Sequence, residues 1–166
     1  MANILFTGGR APATLELVRA FHRAGHTVFM AESLPGHLSQ PSKAITKNFF
    51  VPSPRQQTAA FIGALRKIIV ENRIDLLIPT CEEVFYVARD REELPCAVFV
   101  ESIKKLNDVH NKWHFVINAI GHDLYAPETM YLNSQDDLLH AFAHWRELVL
   151  KPVYSRQCAK ACNRSS

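Results

Sequence analysis

Two rhythms of apolar and polar residues alternate along the first hundred positions. Short apolar runs at residues 4–7, 27–31, 48–51, 76–80 and 97–100 have the length and composition of buried parallel strands. Between them the apolar residues recur at helical spacing. Leu17, Val18, Phe21 and Ala24 follow Pro12, which suits a first helical turn, and Gly25 supplies the stop. Phe61, Ile62, Leu65, Ile68 and Ile69 line one face of a helix over about residues 55–72. A further helix opens at Glu82 and runs to about Arg91. Residues 33–42, with Pro35, Gly36 and Pro41, read as a loop. This alternation predicts right-handed βαβ units in an open, doubly wound, parallel α/β sheet of Rossmann-like type.

The rhythm changes near Glu101. Ser102 is placed to cap a short helix through Leu106, and Asp108 to cap a second with Val109, Trp113, Val116 and Ile120 on one face and Gly121 at its end. Residues 126–132 read as extended. Ser134 and Asp137 have capping-box spacing ahead of Leu138, Ala141, Phe142 and Trp145. Residues 148–153 form a strand pattern, so 108–153 reads helix, strand, helix, strand. The stretch 155–166 has no apolar periodicity, which leaves that last strand without an expected partner and open to self-association. The pattern divides the chain into 1–101, a parallel domain; 102–156, part of a smaller α+β lobe; and 157–166, an irregular tail.

Composition narrows the class. Apolar residues make up 48% of the 166 and charged residues 21%, a balance that supports a sizeable core. The net charge of +3 comes from scattered Lys and Arg, with no run that could track a nucleic-acid backbone. No stretch approaches the roughly 18–20 apolar residues of a membrane span. The chain enters a strand pattern at once, without a basic leader or apolar signal core, so a cytoplasmic location and reduced thiols are expected.

Four stretches together resemble ATP-grasp ligases, in particular the carbamoyl-phosphate-synthase-like and carboxylate–amine ligase branch. They are Ile4-Leu5-Phe6-Thr7-Gly8-Gly9-Arg10; Leu77-Ile78-Pro79-Thr80-Cys81-Glu82-Glu83; Asn111-Lys112-Trp113-His114-Phe115 with Gly121 and Pro127-Glu128-Thr129; and Leu150-Lys151-Pro152-Val153-Tyr154-Ser155-Arg156. The resemblance implies a Rossmann-like pre-ATP-grasp domain followed by part of a small ATP-grasp lobe. It implies a ligase that uses ATP and Mg²⁺ to activate a small-molecule carboxylate as an acyl phosphate, which an amine then attacks. It also implies nucleotide contacts from Lys112 and Lys151. The family's glycine-rich loop follows the Lys-Pro strand, but residues 157–166 contain no Gly, and the large lobe with its metal ligands finds no counterpart. The expectation is therefore an amino-terminal portion that is inactive alone and binds ATP weakly or not at all. Two readings of another class are a non-catalytic Rossmann-like module for a nucleotide or small anion, and a degenerate remnant.

Each candidate residue carries two readings. Phosphoryl transfer chiefly requires cations that neutralise developing charge, and lysine suits this. Lys112 is either such a cation or a helix-surface residue paired one turn back with Asp108. Lys151 is either such a cation or an edge-strand lysine that discourages aggregation. Gly8 and Gly9, between a strand and a helix, either hold a substrate anion or form a tight turn; they do not match G-x-G-x-x-G. Arg10 either reaches a substrate carboxylate or is solvated. Glu82 and Glu83, just past a strand's carboxyl end, either orient an amine-bearing substrate or favour the next helix's N-terminus. Glu32 stands where a ribose-binding acid would in a dinucleotide fold. His22/His26, His110/His114 and His140/His144 have i, i+4 spacing but read as surface histidines. Cys158 and Cys162 are two ligands short of a zinc site. Cys81 reads as a buried structural thiol.

Overall fold

The computed structural model describes residues 1–154 and the backbone of residues 160–163. It falls into two compact units, Met1–Ile103 and Lys104–Ser166.

In the first unit five strands form one parallel sheet in the order β3-β2-β1-β4-β5. They are β1 (Asn3–Thr7), β2 (Thr27–Glu32), β3 (Lys47–Phe50), β4 (Leu76–Ile78) and β5 (Ala97–Val98). Side chains alternate between the two faces of a strand. Leu5 therefore joins Phe29, Phe61, Leu65 and Leu77 in one core, while Ile4 and Phe6 join Val18, Val28, Met30 and Ile78 in another. Helix α1 (Pro12–Arg23) contributes Val18 to the second core, and α2 (Thr58–Glu71) contributes its Phe61, Ile62, Leu65, Ile68 and Ile69 face to the first. Burial on both faces explains why these strands read as unbroken apolar runs. Helix α3 (Glu83–Arg89) follows β4.

The chain lays β2 and β3 on one side of β1, then crosses to place β4 and β5 on the other. The strand order reverses between β1 and β4, and the carboxyl ends of those two strands form the crevice where open sheets of this kind bind ligands.

The second unit holds α4 (Ile103–His110), α5 (Lys112–Gly121), α6 (Gln135–His144) and an antiparallel pair, β6 (Glu147–Leu150) with β7 (Lys160–Asn163). Three expectations are corrected here. Asp108 does not cap the second helix. It lies inside α4, where its carboxylate accepts from Lys104 Nζ at 2.9 Å, while Asn111 caps α5 by accepting from the amides of Trp113 and His114, both at 3.0 Å. Asn111 wins because its short side chain reaches two first-turn amides that otherwise lack acceptors. Residues 126–132 pair with no strand among the described residues. The tail expected to be irregular contains β7, so the strand expected to lack a partner pairs with Leu148 opposite Cys162 and Leu150 opposite Lys160. Residues 155–159 and 164–166, and the side chains of 160–163 including Cys162, lie outside the described residues.

The capping box at Ser134 and Asp137 forms as the spacing predicts. No described helix is long and apolar enough to cross a membrane.

Candidate functional site

Two places bring the candidate residues together, one in each unit.

In the first unit, β1 ends at Thr7 and Gly8 turns the chain with φ +77°, a conformation that favours glycine. The Gly8 carbonyl accepts from the Ala11 amide at 3.1 Å and from Thr14 Oγ1 at 2.9 Å, which fixes the entry to α1. Thr80, just past β4, donates through Oγ1 to the Thr7 carbonyl at 2.6 Å, so the two strand ends are tied across the switch point. Glu83 is buried, and its Oε1 accepts from Thr7 Oγ1 at 2.9 Å and from the Cys81 amide at 3.1 Å.

Arg10 sits within this frame and is held by the protein's own carboxylates. Its Nη1 donates to Glu32 Oε2 at 3.1 Å, and its Nη2 donates to Glu83 Oε2 at 3.0 Å and Glu82 Oε2 at 3.2 Å. Burial works against the guanidinium's charge, but the Glu83 and Glu32 carboxylates outweigh it and raise its pKa. Arg10 keeps 36% of its side chain exposed while its guanidinium is paired with these carboxylates. Glu32, at the end of β2, also accepts from the amides of Ser33 and Leu34, an anchoring role that its place in the sequence does not announce. The signal for it was a carboxylate at a strand's carboxyl end, level with a lone arginine on the neighbouring turn. Gly9 is covered: its carbonyl accepts from the Ser39 amide at 2.9 Å, and a Cβ there would lie 2.5 Å from His37 Nδ1. Cys81 is a buried thiol whose Sγ donates to the Gly8 carbonyl at 3.6 Å.

In the second unit, Lys112 and Lys151 line one cavity of about 780 Å³, with Trp113, Val116, Met130 and Leu148 among its apolar walls. Lys112 is the first residue of α5, and Lys151 follows the last residue of β6. Asp108 and Lys112 stand on different helices, and Asp108 is paired with Lys104. The carboxylate of Glu128, on an adjoining wall, accepts from Trp145 Nε1 and meets His144 Nε2, both at 3.1 Å, joining the 126–132 stretch to the end of α6. Among the described residues no group of three or more His, Cys, Asp or Glu is placed to hold a metal ion.

No protein-family model matches the chain, and no curated protein matches it. Solved structures do match. An L-amino acid ligase from Bacillus licheniformis aligns over 98% of this chain and 39% of its own, at 16% identity and a TM-score of 0.69. N5-carboxyaminoimidazole ribonucleotide synthetase from Thermotoga maritima aligns over 99% and 42%, at 12% identity and 0.67. N5-carboxyaminoimidazole synthetase from Staphylococcus aureus, complexed with ADP, aligns over 99% and 41%, at 10% identity and 0.71. At these identities the likeness is one of fold. The chain has the fold of the amino-terminal part of ATP-grasp ligases and spans about two fifths of their length.

Proposed function

We propose that this chain serves as the amino-terminal part of an ATP-dependent carboxylate–amine ligase that works through an acyl phosphate in the cytoplasm. Residues 1–101 act as its pre-ATP-grasp domain and contribute a substrate crevice at Gly8, Gly9, Arg10, Glu82 and Glu83. Residues 102–156 act as part of the small lobe and contribute one wall of a nucleotide site. The observation that carries this reading is the cavity shared by Lys112 and Lys151. Its volume of about 780 Å³ falls in the range of small-molecule and cofactor sites, and it combines apolar walls with two cations.

These residues fit ATP. Trp113, Val116 and Met130 offer apolar surface to a base, and the two lysines offer charge to phosphates. When bound, ATP supplies the phosphoryl group that activates a carboxylate. The chain's own part is to hold the phosphates and to offset the charge that develops during transfer. Among the described residues no group of three or more His, Cys, Asp or Glu is placed to hold Mg²⁺, and its protein ligands are assigned to the remainder of the complete fold. Since the chain spans two fifths of its fold neighbours' length, catalysis is proposed for the complete fold, and this portion alone is expected to bind nucleotide weakly.

The test is an ADP titration of the ¹⁵N-labelled chain followed by NMR. Shift changes concentrated on residues 112–116, 128–131 and 148–151, and diminished in Lys112→Ala and Lys151→Ala, support the proposal. Changes confined to Met1–Ile103, or none at millimolar ADP, sink it.

A further inference from the structure

We infer that a second, smaller cavity in the Lys104–Ser166 unit binds a quaternary ammonium ion, held on the rings of Trp113, Tyr131 and Trp145 and matched in charge by Glu128. The inference stands apart from the nucleotide reading and requires no ATP.

This cavity has a volume of about 610 Å³, and three separate segments supply its rings. Trp113 is the second residue of α5, Tyr131 belongs to the extended stretch 126–132, and Trp145 follows the last residue of α6. The centroids of the Trp113 and Tyr131 rings lie 5.6 Å apart with their planes 30° from parallel, so the two form one aromatic wall. Trp145 is fixed at its edge, where Nε1 donates to Glu128 Oε2 at 3.1 Å, and the His144 ring stands edge-on to it at 4.5 Å. Both tryptophans are half-buried and Tyr131 is 43% exposed, so part of this aromatic surface stays open to solvent. The smaller cavity shares the wall at Trp113, Glu128, Tyr131 and Trp145 with the larger one. Lys112 and Lys151 line only the larger, and His140 and His144 only the smaller.

The charge of the lining selects the ligand. Among the described residues that line this cavity, Glu128 is the only Asp, Glu, Lys or Arg. The Trp145 indole, followed by His144, holds its carboxyl below the usual glutamate range, so it is ionised at neutral pH. The indole N–H brings no counter-charge, and an imidazole brings one only when protonated. Each Glu128 oxygen accepts one of these bonds and keeps a further lone pair, and the side chain is 68% exposed. The negative faces of the rings and this carboxylate both attract a cation and repel an anion. A metal ion takes several oxygen ligands, and no group of three or more His, Cys, Asp or Glu is placed among the described residues to supply them. A primary ammonium brings three N–H donors, more than one carboxylate satisfies. A quaternary ammonium brings none, and its methyl groups rest directly on aromatic faces.

The experiment titrates the ¹⁵N-labelled full chain with choline, without nucleotide and at about pH 8, above the ordinary range of histidine. Parallel titrations use ethanolamine and 3,3-dimethylbutan-1-ol, the uncharged isostere of choline. The chain has two tryptophans and both line this cavity, so their indole N–H signals report on it directly. Choline is expected to move both signals saturably, and the other two compounds at equal concentration to leave them in place. Glu128→Gln, which keeps an acceptor for Trp145 Nε1 but loses the charge, should weaken choline about tenfold. Tyr131→Leu, which keeps apolar bulk but loses the ring, should weaken it several-fold. The inference is overturned if the uncharged isostere or ethanolamine matches choline, if the choline shifts never saturate, or if Glu128→Gln binds choline like the parent. Parent-like binding by Tyr131→Leu overturns the aromatic wall. If Glu128→Gln fails to fold, Tyr131→Leu and the uncharged isostere decide. Because nucleotide is absent and Lys112 and Lys151 stay in place, a failed ADP titration and a failed choline titration are separate results.

Discussion

The amide of Lys112 donates to the carbonyl of Val153 at 3.1 Å, joining the first residue of α5 to the stretch two residues beyond Lys151. Asn111 reinforces the junction, with its Nδ2 donating to Tyr154 Oη at 3.1 Å. Forty residues separate the two lysines' segments in sequence, and these bonds hold them beside one cavity. If both cations meet phosphate, Lys112→Ala and Lys151→Ala should each weaken ADP about tenfold, as expected for losing a charge-assisted contact. Calorimetry or NMR titration of the two single variants and the double variant checks this. Because the segments are bonded together, the double variant should lose less than the sum of the two single losses. Parent-like affinity in either single variant would remove that lysine from the nucleotide wall.

Gly8 and Gly25 both hold positive φ, at +77° and +86°, yet they predict different outcomes. A Cβ at Gly8 would fall 2.5 Å from Thr80 Oγ1, 2.6 Å from Glu83 Oε1 and 2.9 Å from Cys81 Sγ, whereas one at Gly25 meets nothing within 4 Å. Gly25→Ala should therefore cost only the backbone penalty, about 1–2 kcal/mol. Gly8→Ala adds a collision with the tie between β1 and β4 and should cost about 2–4 kcal/mol. Urea unfolding of the two variants measures the difference. Equal losses would show that the switch point yields more readily than its packing implies.

What the sequence revealed and what it hid follow from the range of the forces involved. The parallel sheet was legible because both of its faces are buried, which writes each strand as an apolar run and each helix as an apolar stripe, as at Phe61, Leu65 and Ile68. The Ser134 capping box was legible because its partners stand three residues apart. Asn111 was passed over in favour of Asp108 because both are competent caps, and only the position of the chain break between α4 and α5 decides between them. The pairing of β6 with β7 was hidden because the second strand carries no alternation to announce it. In the crevice, the grouping of Gly8, Arg10, Glu82 and Glu83 followed from strand ends. The capture of Arg10 did not, since Glu32 lies 22 residues away and its approach depends on the register of β1 against β2.

The capping box gives a pH dependence. The Asn133 amide, followed by the side chain and amide of Ser134, holds the Asp137 carboxyl below the usual aspartate range. A depressed folded pKa adds stability that is present above the unfolded value, about 3.9, and is lost as pH falls through the folded value. Helix α6 should therefore be fully capped at neutral pH and should loosen only below about pH 4. Asp137→Asn should abolish that acid-side change. NMR titration of the Asp137 carboxyl and of the Ser134 amide checks it, and a midpoint at or above the ordinary value contradicts it.

Thr14 and Thr80 set a proton-counting problem at the switch point. Thr80 Oγ1 lies 2.6 Å from the Thr7 carbonyl, Thr14 Oγ1 lies 2.9 Å from the Gly8 carbonyl, and the two hydroxyls lie 2.6 Å from each other. Two hydroxyls carry two protons, so they cannot satisfy all three contacts at once. If both donate to carbonyls, two oxygens face each other without a proton between them; if one donates to the other, one carbonyl gives up a donor. Removing either hydroxyl ends the competition and frees the survivor for its own carbonyl. Thr14→Val and Thr80→Val should therefore each cost only about 1 kcal/mol or less, below what a buried, fully satisfied hydroxyl would lose. The double variant Thr14→Val/Thr80→Val then removes the hydroxyl donor from each carbonyl, leaving Gly8 its Ala11 amide, and its cost should exceed the sum of the singles by about 0.5 kcal/mol or more. A double-mutant cycle in urea reads this directly. Strict additivity would mean that the two threonines do not compete, and that the β1 and β4 ends are tied by independent bonds.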